Sequence, residues 1–266
     1  MYSPVSLSIA LVTRNRPESL ERSLISLRAQ ETQPSEVIIS DDSDPESAEA
    51  TAQIANRFEC VYSPGPRRGL YANRNAAFLL CRGTHVRTMD DDHTLPPGHL
   101  SACLSAVLSD PGAVWSTGER GFVAGRLVEA AATAGQLGPA GVAEPVQNLD
   151  DNWAIADGST VYPRAIFDQG FRMIEIFRFG SSYLEFGAYL YRHGWKCRCV
   201  PGAIVEHHVL ALGRPDPLSH LFASICYNRY FRPSRFRLFR YLVPHWESWT
   251  KLPGLFAMAR QRWEKL

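Results

Sequence analysis

The 266-residue sequence has no apolar run approaching the roughly eighteen residues that a membrane-spanning helix needs, and no basic-then-apolar leader pattern at its N-terminus. A transmembrane chain and a secreted precursor are therefore not expected, and the expected location is the cytoplasm. Cysteine is sparse: the six residues at 60, 81, 103, 197, 199 and 226 lack paired metal spacing, and Cys197 and Cys199 sit one residue apart on a strand-like stretch. Reduced, mostly buried thiols are expected. The turn after the first apolar stretch, VTRNRPES, contains no glycine. That argues against the phosphate-cradling loops of dinucleotide oxidoreductases and sugar-1-phosphate nucleotidyltransferases. No internal repeat is visible, and no nucleic-acid recognition motif accompanies the basic residues.

What is present is an ordinary globular composition, 45% apolar and 21% charged, long enough for one large domain or a domain with an appendage. The net charge of +1 conceals an asymmetry: Arg229 to Leu266 carries +7, and the preceding residues carry −6. The tail is thus a separate electrostatic object. Its segment Asn228 to Arg240 sets five arginines among three phenylalanines and a tyrosine with no acid. Docking of these groups on the acidic domain is expected ahead of contact with an anionic membrane surface, because Pro233 and Pro244 cut the segment into short pieces.

Leu7 to Val12 is a continuous apolar run of buried-strand length, and Pro17 opens a helix to about Gln30 with Leu20, Leu24 and Leu27 at helical spacing. Glu36 to Ser40 and Glu59 to Ser63 read as strands, and 45–58 and 70–80 as helices. A fourth strand, His85 to Met89, completes four strand–helix alternations, which predicts an α/β fold with a mostly parallel central sheet flanked by helices. A helix over 97–108 follows. Beyond it, 114–116, 122–128, 153–157, 196–200 and 203–206 read as strands, 129–148 as a loop or lid, 164–169 as a helical turn and 181–193 as a helix. After Pro217, two or three helices finish the chain. The expected division is a domain over 1–212, split near residue 110, and a basic aromatic helical extension over 213–266.

Past the fourth strand stand three consecutive carboxylates, Asp90, Asp91 and Asp92. Ligands of open α/β sheets bind at the carboxyl ends of strands. Adjacent carboxylates repel, so the stretch leaves two readings open, a solvated turn or a divalent-cation site. In extended backbone Asp90 and Asp92 share a side, and such a pair can hold a hard cation that in turn holds a diphosphate.

The ordered strings SIALVTRNRPESLERSLISL, VIISDDSD, GLYANRNAAF, VRTMDDDHTLPPGHL, and YLEFGAYLYRHGW followed by VEHH resemble glycosyltransferase family 2, inverting enzymes of the GT-A fold, over about Leu7 to His208. The resemblance implies a GT-A (Rossmann-like) domain whose halves bind nucleotide sugar (1–110) and acceptor (111–212), and transfer from a nucleotide diphosphate sugar to an acceptor hydroxyl. The implied donor is a UDP-sugar, with dTDP and GDP as alternatives. The acceptor is a glycan, a lipid-linked sugar or a natural product. The implied cofactor is Mn²⁺ or Mg²⁺, held by Asp90, Asp92, His207 and His208.

Nucleotide-sugar contacts are implied for Thr13, Arg14, Asn15, Asp41, Asp42, Arg68, Arg74, Asn75, Asp90 and Asp91. Capping and turn roles compete with these for Asp42 and its neighbours. The family writes Glu-Asp-x-Glu-Phe-Gly in the late helix, its Asp being the general base, and this chain has Ser182 and Tyr183 at that pair. Glu185 and Asp157 are the remaining carboxylates for the role. The rival expectation is a nucleotide-sugar-binding module without transfer activity. Nucleic acid is not an expected partner, and peripheral contact at the inner membrane face would run through 228–266.

Overall fold

The computed structural model describes residues 4–209, 216–231 and 249–264. Strand β1 (Leu7–Thr13) is buried along its whole length, which explains its unbroken apolar character. It pairs in parallel with β2 (Glu36–Asp41) on one side and β4 (His85–Asp90) on the other, and β3 (Val61–Pro64) extends the sheet beyond β2. Helices α1 (Pro17–Arg28), α2 (Pro45–Arg57) and α3 (Leu70–Leu80) make the crossovers. A proline at the first turn of α1 and of α2 starts each without losing a helical hydrogen bond. The order β3-β2-β1-β4 reverses direction between β1 and β4, so a crevice opens past their carboxyl ends.

Beyond β4 the sheet becomes mixed. Strand β10 (Thr160–Pro163) runs antiparallel between β4 and β6 (Val114–Val123), and β11 (Cys197–His208) pairs in parallel with β6. The two-residue β5 (His93–Thr94) closes against the end of β11, and α4 (His99–Ser109) packs on that strand. Helix α6 (Ser182–Arg192) supports the other face, beneath α7 (Pro217–Phe231) and α8 (Leu252–Glu264). Two apolar clusters sandwich the sheet. One joins Phe78, Tyr162, Phe186, Phe222 and Leu255, and the other joins Leu20, Leu24, Ile39, Leu100 and Val107.

Several expected boundaries are corrected. The stretch 122–128 straddles a hairpin: Ala124 and Gly125 both have positive φ, +48° and +75°, and β6 turns there into β7 (Arg126–Ala132). Part of the expected loop over 129–148 is therefore strand, continued by the small ladder of β8 (Gln136–Leu137) and β9 (Ala143–Glu144). Residues 153–157 form no strand, because Thr160 Oγ1 accepts from the Ala156 N–H and donates to the Ala156 carbonyl, folding the segment into a turn ahead of β10. The two short strands expected at 196–206 are one strand, β11, with an irregularity between Cys199 and Ile204. The helical turn near 164–169 is α5 (Ala165–Asp168).

Candidate active site

A cleft of about 650 Å³ lies at the reversal between β1 and β4. Val12, Thr13, Arg14 and Arg16 from the end of β1 line one side, and Asp90, Asp92 and His93 line its floor. Thr117 and Glu119 of β6, His207 of β11 and Tyr183 of α6 line the other side.

The three aspartates point to three partners. Asp90 accepts from Arg74 Nη2 with both oxygens, at 2.7 and 2.8 Å, and the other amino group of that buried guanidinium holds Asp157. Asp91 is wholly buried, receiving the Thr13 hydroxyl at 2.6 Å and Arg16 Nε at 3.1 Å. Asp92 takes Arg16 Nη1 at 2.8 Å and faces His207 Nε2 at 3.7 Å and His93 Nε2 at 4.0 Å. The alternation that sets Asp90 and Asp92 on one side thus ends with Asp90 engaged by Arg74 and Asp92 alone turned to the imidazoles.

Asp92, His93 and His207 bring one oxygen and two nitrogens within 4.8 Å of one another. Two further features fit a cation there. Glu119 Oε1 lies 2.7 Å from His207 Nδ1, so an Nδ1–H donated to Glu119 leaves the Nε2 lone pair facing Asp92. His93 is buried with Nδ1 unpartnered. Burial favours neutral His207, but the carboxylates of Asp92 and Glu119 that face its two nitrogens outweigh that and push it up to about 10.

The remaining expected residues divide. Arg14 and Asp42 reach the cleft, and Asp42 Oδ1 also accepts the Arg67 backbone N–H at 2.8 Å. Asp41 is buried, bonded by the Ser43 N–H and the Tyr62 hydroxyl. Asn15 clasps Asp44 through both ends of its amide. Arg68 pairs with Glu175 at 2.9 Å on the surface. Asn75 is buried, donating to the Met173 carbonyl and Glu175 and accepting the Met173 N–H, which fastens segment 173–175 to α3.

His208, next to His207 on an extended strand, points the other way, bonding Thr94 Oγ1 at 2.9 Å and stacking on Phe122. Glu185 is corrected most: it does not line the cleft but is buried beneath the C-terminal helices, bonded by Arg262 at 3.1 and 3.2 Å and by the Tyr230 hydroxyl. Asp157 does line the cleft.

Arg16, His93, Glu119 and Tyr183 are among the cleft residues that lay outside the sequence expectation. His93 follows the Asp run directly, and its adjacency was the available signal. Glu119 had none, because its partner His207 is 88 residues away.

The sequence model of glycosyl transferase family 2 matches residues 8–171, more than half the chain. The chain belongs to glycosyl transferase family 2. The structure of this family 2 chain is similar to that of S. aureus TarS, with a TM-score of 0.63 and 16% identity over 84% of this chain and 39% of that one. It is also similar to TarS 1-349 in complex with UDP-GlcNAc, with a TM-score of 0.64 and 16% identity over 97% and 78% of the two chains. GalNAc-T7 with UDP, GalNAc and Mn²⁺ gives a TM-score of 0.68 and 15% identity over 86% and 48%. The chain therefore spans less than half of the full TarS and GalNAc-T7 chains, and at these identities the likeness is one of fold, the GT-A fold. No curated protein matches the sequence. Among the described residues no helix is long and apolar enough to cross a membrane.

Proposed function

We propose that this family 2 chain is a metal-dependent, inverting glycosyltransferase that moves a sugar from a nucleotide diphosphate sugar to an acceptor hydroxyl. The observation that carries the reading is the Asp92–His93–His207 donor set, oriented by Glu119, at the carboxyl ends of β1 and β4 beside Arg14 and Arg16. Asp92, His93 and His207 would hold the cation, and two imidazoles with one carboxylate suit Mn²⁺ better than Mg²⁺, which prefers all-oxygen shells. When bound, the cation neutralises charge on the leaving diphosphate.

The chain's own groups do the rest. Arg14 and Arg16 at the end of β1 give positive charge on the nucleotide side of the cleft, and Thr13 and Arg16 fix Asp91 beneath them. Asp42 is placed to accept from a base N–H, and UDP in the TarS and GalNAc-T7 complexes supports uracil as that base. Acceptor contacts fall to the later half, where Phe179 and Tyr183 offer aromatic faces for a sugar ring. The acceptor is a glycan, a lipid-linked sugar or a natural product.

The second reading, a binding module without transfer, is motivated by Tyr183 at the family's base position. Titration calorimetry with UDP, with and without Mn²⁺, beside a donor-consumption assay separates the two. Mn²⁺-dependent UDP binding with sugar transfer supports the enzyme. Binding without turnover on any acceptor supports the module, and no Mn²⁺-dependent binding removes both.

A further inference from the structure

We propose that Asp157 has taken over the task of accepting the acceptor's proton, a reading that rests on the transfer function above. Six carboxylates border the cleft: Asp42, Asp90, Asp92, Glu119, Glu129 and Asp157. Asp90 has both oxygens on Arg74, Asp92 belongs to the donor set with Arg16 and the imidazoles against it, and Glu119 orients His207. Asp42 follows β2 with Oδ1 on the Arg67 N–H, and its place in the proposed function is beside the nucleotide base. Glu129 stands on β7, every residue of which is exposed, so water competes for its lone pairs. Asp157 is the remaining carboxylate, outside the Asp92–His93–His207 donor set. Arg74 Nη1 holds Oδ1, whereas Oδ2 meets only the Tyr71 hydroxyl, at 3.4 Å.

The backbone is shaped to bring Asp157 there. Gly158 has φ of +74°, and a Cβ at that position would lie 2.4 Å from Asp90 Oδ2. Only a residue without a side chain lets this turn close onto the Asp90–Arg74 pair and carry the Asp157 carboxylate to the cleft wall. Tyr183, at the position where the family keeps an acid, lines the same wall. Arg74 and Tyr71 of α3, Asp90 of β4, Glu119 of β6 and Tyr183 of α6 face Asp157. Burial pushes its carboxyl up to about 6 against the opposing charge of Arg74, which suits a base working near neutrality.

In the step, the acceptor O–H proton passes to Asp157 Oδ2 as the acceptor oxygen bonds the anomeric carbon. The bond from that carbon to the diphosphate oxygen breaks, and its electron pair leaves with the diphosphate. Arg74 keeps Asp90 as its anion when Asp157 becomes neutral, so no buried cation is stranded.

The experiment uses the full chain with Mn²⁺, a panel of UDP-, dTDP- and GDP-sugars, and acceptors that include water, sugar alcohols and 4-nitrophenol. Asp157→Asn should slow transfer to an alcohol about a hundredfold or more while UDP affinity stays within about threefold, and the loss should shrink with the acidic phenol, which needs no base. Tyr183→Asp in the Asp157→Asn background should restore at least about tenfold of the rate. If Asp157→Asn does not fold, Asp157→Ser replaces it, and a rate within about twofold of wild type overturns the proposal.

So does an Asp157→Asn protein with near-normal turnover, an equal loss for alcohol and phenol, or a comparable loss in Glu129→Gln. A wild-type chain that binds UDP with Mn²⁺ yet consumes no donor overturns the transfer reading instead.

Discussion

The guanidinium of Arg262 lies 3.1 Å through Nε and 3.2 Å through Nη2 from the two oxygens of Glu185, joining α8 to α6 inside the protein. The Tyr230 hydroxyl from α7 adds a third bond, and the Tyr189 ring lies 3.7 Å from the guanidinium carbon. A carboxylate that the family resemblance nominated as a base is thus the counter-ion of the C-terminal helices. Arg262→Met should cost about 3–5 kcal/mol, because it leaves a buried charge uncompensated, whereas Arg262→Met with Glu185→Leu should recover most of that loss. Urea denaturation of the two variants checks the difference.

The residues of the proposed metal site should separate from their neighbours by binding. His207→Ala and Asp92→Asn are expected to remove Mn²⁺-dependent UDP binding, Glu119→Gln to weaken Mn²⁺ affinity about 10- to 100-fold, and His208→Ala to leave it nearly unchanged. Calorimetry with Mn²⁺ and UDP reads all four. Equal effects at 207 and 208 would contradict the opposed directions of the two rings.

Asp90 is not a bare carboxylate repelled by its neighbours, since Arg74 bonds both of its oxygens. Asp90→Ala should therefore destabilise the protein by about 1–3 kcal/mol, since it unpairs one side of a buried guanidinium. A melting temperature equal to that of wild type would contradict the pairing.

Stability against pH should carry the mark of Asp157. Its folded-state value, raised by burial to about 6, exceeds the unfolded value of about 3.9, so its contribution is fully present below about pH 3.9 and is lost as pH rises through about 6. Relative to Asp157→Asn, the wild type should lose stability across this window and run parallel above it. Denaturant midpoints at several pH values measure the gap.

Gly158→Ala combines a left-handed backbone with a Cβ placed against Asp90. It should cost about 1–3 kcal/mol and displace Asp157 together with it. Gly170→Ala is the control, since that glycine also has positive φ, +89°, but no atom lies within 4 Å of the added carbon. A similar loss at both positions would mean that backbone strain alone is responsible.

The first half of the fold was legible because β1 and β2 carry short apolar runs buried in a parallel sheet, and β4, though it includes His85 and Arg87, keeps the strand–helix alternation and ends like them in a turn carrying polar groups. The Asp cluster was legible for the same reason, as it stands where β4 ends. Beyond it, local pattern failed for physical causes. Every residue of β7 is exposed, so no alternation of burial is written into RLVEAAA. Which aspartate meets a cation depends on Arg74 and Arg16, brought from other elements, and the imidazole of His207 is oriented by Glu119 across two strands. The burial of Glu185 was not legible because its partner Arg262 lies 77 residues further on.

That separation gives the last helix a part in the order of assembly. Strands β1 to β4 are synthesised first, but α6 cannot settle with Glu185 paired in its final place until Arg262 has been synthesised and docked. A chain interrupted between Val209 and Arg262 would hold a nearly complete cleft on a wall with an unneutralised charge inside it. Such a fragment would be marked by looseness around α6, and a cell's proteases, which act on transiently opened segments, would meet it there first.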